Sequence, residues 1–318
     1  MQRTLTYQIT EEHEGMEILA FLRKKGFSRH ILSSMKADKH SILQNGERGY
    51  GHSVLKSGDI LRILVPETEA EEKIIPVKMD LKILYEDEDI LVLNKDADVP
   101  IHPSIGNYEN TLANAAAYYF AQKGEPFVYR CINRLDRDTT GALILAKNPY
   151  SAAVLSQQMK RHEIRRTYLA LVEGIPPQSG TISAPIGRKD GSTIERQVDF
   201  ENGERAVTHF ERLATSRDAC CRGLRGGSSA AADDPQAYSL LELHLETGRT
   251  HQIRVHMKYL GYPLPGDYLY HPDYRIIGRQ PLHSYQIEFR HPVTEKDMLF
   301  TAPVPEDFVR AFTCSFRK

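Results

Sequence analysis

Asn133-Arg134-Leu135-Asp136-Arg137-Asp138-Thr139-Thr140-Gly141 sets two carboxylates among two guanidinium groups and closes on a glycine. The apolar run Ala142-Leu143-Ile144-Leu145-Ala146 follows directly. Two chemistries use such a set. An aspartate gripped by cations beside a strand can serve as a single reactive carboxylate. Alternatively, Asp136-x-Asp138-x-Thr140 has the spacing in which one aspartate attacks phosphorus, a second moves protons and Mg²⁺ screens the charge. The phosphorus chemistry expects its strand before the carboxylates and a lysine with further acids downstream. Here Cys131-Ile132-Asn133-Arg134-Leu135 precedes Asp136, the apolar strand comes after it, and no convincing metal apparatus follows.

Three other segments carry reactive types. Arg165-Arg166-Thr167-Tyr168-Leu169-Ala170 puts a basic pair ahead of a strand tyrosine. A strand tyrosine usually packs in a core, but cations leading to an aromatic face also suit base stacking. Thr247-Gly248-Arg249-Thr250-His251-Gln252-Ile253-Arg254-Val255-His256 gathers two arginines and two histidines after a strand and a glycine. It reads equally well as a polar helix start or as a clamp for phosphate and carboxylate. Gly266-Asp267, Leu282-His283 and His291-Pro292 are individually weak.

The elements that must hold these residues divide the chain. Ile18, Phe21 and Leu22 recur at helical spacing, Arg23-Lys24-Lys25 forms a basic last turn, and Gly26 ends the helix. Ser28 is an N-cap for a second helix that turns Ile31, Leu32 and Met35 inward and Arg29 and Lys36 outward. The strand 41–43, the turn Asn45-Gly46 and the strand 60–65 complete a small α+β module over residues 1–66. Residues 67–79 read as a linker. Over 80–318 the spacing predicts strands at 90–93, 142–146, 167–172 and 238–246, with helices at 111–122 and 151–159. These pieces fit an α+β fold with a mixed, mostly antiparallel sheet and packed helices. Residues 214–236 are rich in Ala, Ser, Gly and Arg and read as a flexible insertion.

Bulk composition excludes more than it assigns. The 318 residues suffice for two domains, and 41% hydrophobic residues describe an ordinary globular chain. No run reaches the roughly 18 apolar residues of a membrane span. The N-terminus opens no signal peptide, so a cytoplasmic protein without membrane attachment is expected. Cys131, Cys220, Cys221 and Cys314 lack metal or disulfide spacing, and no metal or cofactor is called for. The net charge of −1 averages two opposite segments. Residues 16–62 hold nine Lys/Arg against four Asp/Glu, whereas 67–90 hold three against nine. A basic front suggests an anionic partner there, although surface clustering explains the charge as well.

Taken together, Arg134-Leu135-Asp136 with Thr139-Thr140-Gly141, Arg166-Thr167-Tyr168-Leu169-Ala170 with Glu173-Gly174, and Gly248 to His256 closely resemble the RluA-type family of RNA pseudouridine synthases. Asn94-Lys95, His102-Pro103, Ala184-Pro185-Ile186-Gly187-Arg188, Gly266-Asp267, Leu282-His283 and His291-Pro292 agree in order, so the resemblance covers roughly residues 80–305. Residues 1–66 resemble the small RNA-binding module of a small-subunit ribosomal protein, through Gly26-Phe27-Ser28-Arg29, Asn45-Gly46 and Gly58-Asp59.

The resemblance implies that a uridine of structured RNA, ribosomal in preference to transfer RNA, is detached from its ribose, turned and rejoined through carbon 5, with no cofactor. It implies Asp136 as the essential carboxylate and leaves open whether it adds to the sugar or removes a sugar proton. Arg254 is the candidate partner of Asp136, with Arg249 second. Tyr168 would stack on the extruded base, and Arg134 would fill the space the base leaves. Arg166, Arg249, His251 and His102, with Arg23, Lys24, Arg29 and Lys36 of the module, are the remaining candidate RNA contacts. Asp138 then becomes a loop or surface carboxylate, and a monomer is the default.

The chain departs from the family at Asn133, where histidine is usual, and at Asp96 and Asp98, where proline and glycine are general. Arg166 and Glu47 both stand where lysine is common. Two other readings remain: a haloacid-dehalogenase-type, Mg-dependent phosphatase on Asp136, Asp138 and Thr140, and a non-catalytic RNA-binding ribosome-assembly protein.

Overall fold

The computed structural model describes residues 1–67, 74–104, 106–216 and 237–315. Near the N-terminus, strands β1 (Arg3–Gln8), β2 (Ile42–Gln44), β3 (Glu47–Arg48) and β4 (Ile60–Val65) form an antiparallel sheet in the order β1-β4-β2-β3. Helices α1 (Ile18–Lys24) and α2 (Arg29–Ser34) cover it. Ser28 caps α2 by accepting from Ile31 N–H at 3.3 Å. Asn45 and Gly46 both take positive φ, the primed turn that joins β2 to β3. Ile18, Phe21, Leu22, Ile31, Leu61 and Ile63 fill the core beneath them.

That core is completed by the larger unit. Tyr150 belongs to it, packs its ring at a tilt against Phe27 with centroids 4.6 Å apart, and donates its hydroxyl to Lys25 O at 2.8 Å. Arg3 of β1 grips Asp89 with Nε and Nη2 at 2.9 and 3.0 Å. The same carboxylate accepts from Asn148 Nδ2 and Ser151 Oγ. Residues 68–73 of the expected linker lie outside the described residues. Beyond them the chain is tied down: Asn114 donates to Ile75 O at 2.8 Å and accepts Val77 N–H at 3.2 Å.

Among the described residues, nine strands make the main sheet. They are β5 (Ile83–Glu86), β6 (Ile90–Lys95), β7 (Thr140–Ala146), β8 (Arg165–Glu173), β9 (Ser179–Ser183), β12 (Val207–Thr215), β13 (Tyr238–Leu245), β14 (Leu282–Arg290) and β15 (Asp297–Thr301). Their order is β5-β6-β7-β14-β8-β13-β12-β9, with β15 beside β14. The β7–β14 pair is parallel and the other pairings are antiparallel. A two-stranded ribbon, β10 (Ile186–Arg188) with β11 (Arg196–Val198), stands apart from the sheet. This is the mixed, mostly antiparallel α+β fold expected from the sequence.

All seven residues of β7 are buried, so both faces of the sheet are covered there. Helices α3 (Leu112–Gln122) and α5 (Gln252–Tyr259) pack with Leu143, Leu145, Tyr168 and Ala170 on one face. Helix α4 (Pro149–Lys160) packs on the other, where Leu155 meets Ile144 and Ala146. Helix α6 (Glu306–Ser315) lies against Leu169 and Leu171, the β8 residues whose side chains alternate with those of Tyr168 and Ala170. Strand β12 runs through Thr215, so residues 214 and 215 of the segment read as an insertion at 214–236 are strand, and residues 217–236 lie outside the described ones.

Candidate active site

The loop bearing Asp136 is fixed from both ends. Before it, Ile132 N–H bonds to Ile144 O at 2.9 Å, which lays the segment beside β7. Asn133 is 2% exposed and accepts from Ile144 N–H at 2.9 Å while donating to Ala142 O at 3.3 Å. The asparagine that departs from the family pattern is therefore a backbone anchor. After Asp136, its carbonyl accepts Thr139 N–H at 3.1 Å and closes a turn. Thr140 and Gly141 then enter β7 beside His283 and Ser284 of β14. Gly141 has φ +111°, and a Cβ there would sit 2.2 Å from Ser284 O.

Lys95, at the end of β6, ties this loop to the next. Its buried ammonium donates to Asp96 O at 2.7 Å, Val99 O at 2.9 Å and Arg137 O at 2.6 Å. Three carbonyls match the three hydrogens of the cation. Burial pulls the Lys95 pKa down to about 7, against the upward pull of Asp138 and Asp136.

Arg254 of α5 is 2% exposed and links two carboxylates. Nε and Nη2 each donate to Asp267 at 2.7 Å, and Nη1 donates to Asp136 Oδ2 at 2.9 Å. Asp267 is itself fully buried and also accepts the N–H groups of Leu269 and Tyr270 at 3.1 Å. The rings of Tyr270 and Tyr268 lie 4.9 and 5.6 Å from the guanidinium carbon. Burial pulls the pKa of Arg254 down, but Asp267 and Asp136 more than reverse it, so the group stays cationic.

The helix that carries Arg254 is pinned by side chains the sequence places one turn apart. Gln252 accepts from Thr247 Oγ1 and Arg249 N–H and donates to Val207 O and Thr208 Oγ1. His256 reaches Thr208 Oγ1 and Ala184 O, both at 2.9 Å. His251 sits at the N-cap with φ +57°, a left-handed conformation uncommon outside glycine. Its Nδ1 lies 2.9 Å from Tyr270 Oη, and its Nε2 lies 4.0 Å from Asp136 Oδ1. Burial lowers the His251 pKa, which favours the neutral ring. Tyr270 Oη already accepts Arg196 N–H. The phenol proton is thus free for Nδ1, an arrangement that favours hydrogen on the Nε2 facing Asp136.

A cleft of about 600 Å³ brings together Asp136, Tyr168, Arg254, Arg134, Arg166, Arg249, His251 and His102. Tyr168 is 4% exposed, and burial raises its pKa, so it remains a neutral phenol. Arg166 passes beside Gly248, where a Cβ would meet its Nη1 at 3.1 Å. Its Nε is buried without a hydrogen-bond partner among the described residues. Arg134 is exposed, as is His102, whose ring packs edge-on against Tyr129.

Three placements differ from the sequence reading. Arg249 does not pair with Asp136; it forms an ion pair with Glu204 and donates to Arg205 O at 3.0 Å. Asp138 lies in the loop before β7, one of its two expected places, but is 8% exposed and not on the surface, because Arg137 folds over it at 3.0 Å and its carbonyl accepts from Arg279. Thr140, third in the phosphatase-like spacing, bonds His283 Nδ1 at 2.8 Å and faces the core. The exposed Arg23, Lys24, Arg29 and Lys36 lie on α1, α2 and the turn after α2, and they do not line the cleft. Lys24 is paired with Glu12 at 2.8 Å.

Asp267, Lys95, Gln252 and Tyr270 were not singled out as site residues from sequence, although Gly266-Asp267 and Asn94-Lys95 were legible as small motifs. Two acidic groupings with metal-like proximity, Asp87 with Asp89 and His291, and Glu173 with His271 and Asp273, do not line the cleft. Their oxygens are engaged by protein: His291 bonds Asp87 at 2.8 Å, His271 bonds Glu173 at 2.6 Å, and Arg275 pairs with Asp273. Among the described residues no helix is long and apolar enough to cross a membrane.

Residues 89–259 match the family described as RNA pseudouridylate synthase. The chain is 39% identical over 293 residues to the uncharacterised RNA pseudouridine synthase YjbO of Bacillus subtilis, covering 92% of this chain and 96% of that one. It is 37% identical over 254 residues to ribosomal large subunit pseudouridine synthase D of Zymomonas mobilis, covering 74% and 73%. Among solved structures it is similar to human RNA pseudouridylate synthase domain containing 1, with a TM-score of 0.55, 29% identity, and coverage of 70% and 83%. The family match spans Asp136, Tyr168 and Arg254, and with the two relatives it establishes that the chain belongs to the RNA pseudouridylate synthase family and is an isomerase acting on RNA.

Proposed function

We propose that the enzyme isomerises uridines of ribosomal RNA, with Asp136 as the essential carboxylate, Arg254 as its holder and Tyr168 as the surface on which the extruded base stacks. The carrying observation is the buried Asp267–Arg254–Asp136 bridge, which presents one Asp136 oxygen to a cleft lined by Tyr168. Arg254 Nη1 occupies Oδ2, leaving Oδ1 beside His251 for the sugar. In the reaction the bond from ribose C1′ to uracil N1 breaks, a bond from C1′ to C5 forms, C5 loses its proton, and N1 takes one up. Addition of Asp136 to C1′ and removal of a sugar proton both begin from an anionic carboxylate. In either route Arg254 Nη1 holds and orients the carboxylate from Oδ2.

A base in folded RNA must leave its stack before Asp136 can reach the sugar. Arg134 is exposed at the cleft two residues from Asp136, so its flat cation is available to occupy the vacated space. Arg166, Arg249, His251 and His102 would contact the strand around the target. Residues 1–66, with their own sheet, would add phosphate contacts through Arg23, Lys24, Arg29 and Lys36. Ribosomal RNA is chosen over transfer RNA because the Zymomonas relative is named for the large ribosomal subunit. A cytoplasmic monomer needing neither metal nor cofactor completes the reading.

The test is tritium release from uridine-5-tritiated RNA, using total RNA from cells lacking the gene, with and without EDTA. Asp136→Asn should bind RNA and release no tritium, and wild-type activity should survive EDTA. Turnover by folded Asp136→Asn near the wild-type rate would sink the assignment. Mapping the pseudouridines lost on deletion identifies the RNA, and losses confined to transfer RNA would overturn the ribosomal choice.

A further inference from the structure

A second cavity of about 810 Å³ adjoins the cleft and shares Arg137, Asp138 and Tyr268 with it. Its remaining lining includes Tyr274, Arg279 and Arg310. Both tyrosines line this one cavity and are 45% and 53% exposed, so their rings are accessible to a ligand. Tyr268 is held in place because two guanidinium carbons, of Arg137 and Arg254, lie 5.5 and 5.6 Å from its ring centre.

The charges here are balanced. Arg137 pairs with Asp138 and reaches Asp98 at 3.6 Å, and Arg279 grips Asp307 at 2.7 and 2.8 Å. A free phosphate would gain little from arginines already paired with acids. Flat, half-exposed rings beside cations that can also stack instead match an unpaired nucleobase. Continuity with the cleft points to the base concerned: the shared residues Arg137, Asp138 and Tyr268 give the neighbour of a uridine held at Asp136 a direct way into this cavity.

We propose that this cavity is a binding subsite for the nucleobase next to the target uridine, with Tyr274 as the outer stacking surface and Tyr268 as the wall between the two pockets. The subsite rests on the reading that the cleft takes the target uridine at Asp136. It makes the identity and freedom of the neighbouring base part of substrate selection.

The experiment uses the full chain and a synthetic RNA stem–loop carrying a uridine that the enzyme modifies in total RNA. Three forms of the stem–loop are compared: intact, abasic on the 5′ side of the target, and abasic on the 3′ side. Tyr274→Ala should raise KM on the intact RNA about tenfold, the size of one base–aromatic stack, with kcat within about twofold. One of the two abasic RNAs should show the same rise with wild-type enzyme and no further rise with Tyr274→Ala. Tyr274→Phe should restore the wild-type KM. Additive penalties, an unchanged KM for Tyr274→Ala, or no abasic penalty would each overturn the subsite. Asp136→Asn on the intact RNA separates the two readings: its inactivity beside an additive cycle rejects the subsite alone, whereas its activity rejects the parent assignment.

Discussion

Replacing Asp267 by asparagine should cripple the enzyme without touching any group that lines the cleft beside the sugar. Asp267 gives Arg254 two charge-assisted hydrogen bonds of 2.7 Å in a fully buried setting. Asparagine keeps the shape but offers one oxygen, and its NH₂ group faces guanidinium N–H. Each lost charge-assisted bond is worth about 1.5–3 kcal/mol, and breaking a buried ion pair costs about 3–5 kcal/mol. Arg254 retains Asp136 at 2.9 Å, so the variant should fold, with reduced stability. The guanidinium, no longer braced, would take up orientations that do not present Nη1 to Asp136. A loss of about 3 kcal/mol in transition-state positioning corresponds to roughly 100-fold in kcat. Because Asp267 is buried behind Arg254, RNA affinity should stay within about threefold. Saturating tritium-release kinetics give kcat, filter binding gives affinity, and thermal melting reports the fold. A kcat within about threefold of wild type, in a folded protein, would refute the bracing argument. So would an effect carried wholly by KM.

Other outcomes follow from neighbouring geometry. Gly141→Ala should lose at least about 3 kcal/mol of stability or fail to fold, since its Cβ would strike Ser284 O at 2.2 Å and its φ is +111°; a melting curve like wild type would contradict this. Arg134→Ala should leave melting unchanged and lower kcat/KM on a folded stem by about tenfold or more. On an unpaired oligonucleotide the loss should stay within about threefold, because flipping costs a few kcal/mol only where the base is stacked; equal losses on both RNAs would count against the wedge. Burial lowers the pKa of His251, His256 and His283 below their ordinary 6.5. The unfolded rings therefore take protons near pH 6.5 while the folded ones resist. Stability from these groups is full above that pH and drains away as pH falls below it. Melting at pH 7.5 and 5.5 checks the sign, and an unchanged midpoint would reject it.

The sequence carried the parts of this fold whose signals are local. Ser28 announced α2 by capping and caps it as expected, and the alanine-rich run read as a helix at 111–122 forms α3, with Thr111 as its cap. Strand β7 was legible because five apolar residues follow Gly141 without interruption. Strand β14, whose Leu282–Arg290 segment mixes Ser, Gln, Glu and Arg, gave no such pattern, because its partners β7, β8 and β15 determine its place. The same contrast divides the site. Asp136, Tyr168 and Arg254 stand in long motifs and meet in one cleft. Asp267 was visible only as half of a dipeptide, since its meaning depends on an arginine 13 residues earlier that returns to it across the end of α5. Arg249 was the reverse case. Its type and spacing suited Asp136, yet the turn before α5 aims it at Glu204.

The bond between Arg3 and Asp89, with Tyr150 seated in the N-terminal core, has a geometric consequence for RNA. Lys25, Gly26 and Phe27, just beyond the basic turn of α1, are held by Tyr150 and Gln157 of α4, so that turn does not hang on a tether. If RNA grips α1 and α2 as proposed, a basic surface fixed in this way would work as a gauge. Such an RNA could offer to Asp136 only those uridines lying at one span and one angle from the gripped helix. Selection would then become a matter of surveying distance, with sequence read only at the far end of the measure.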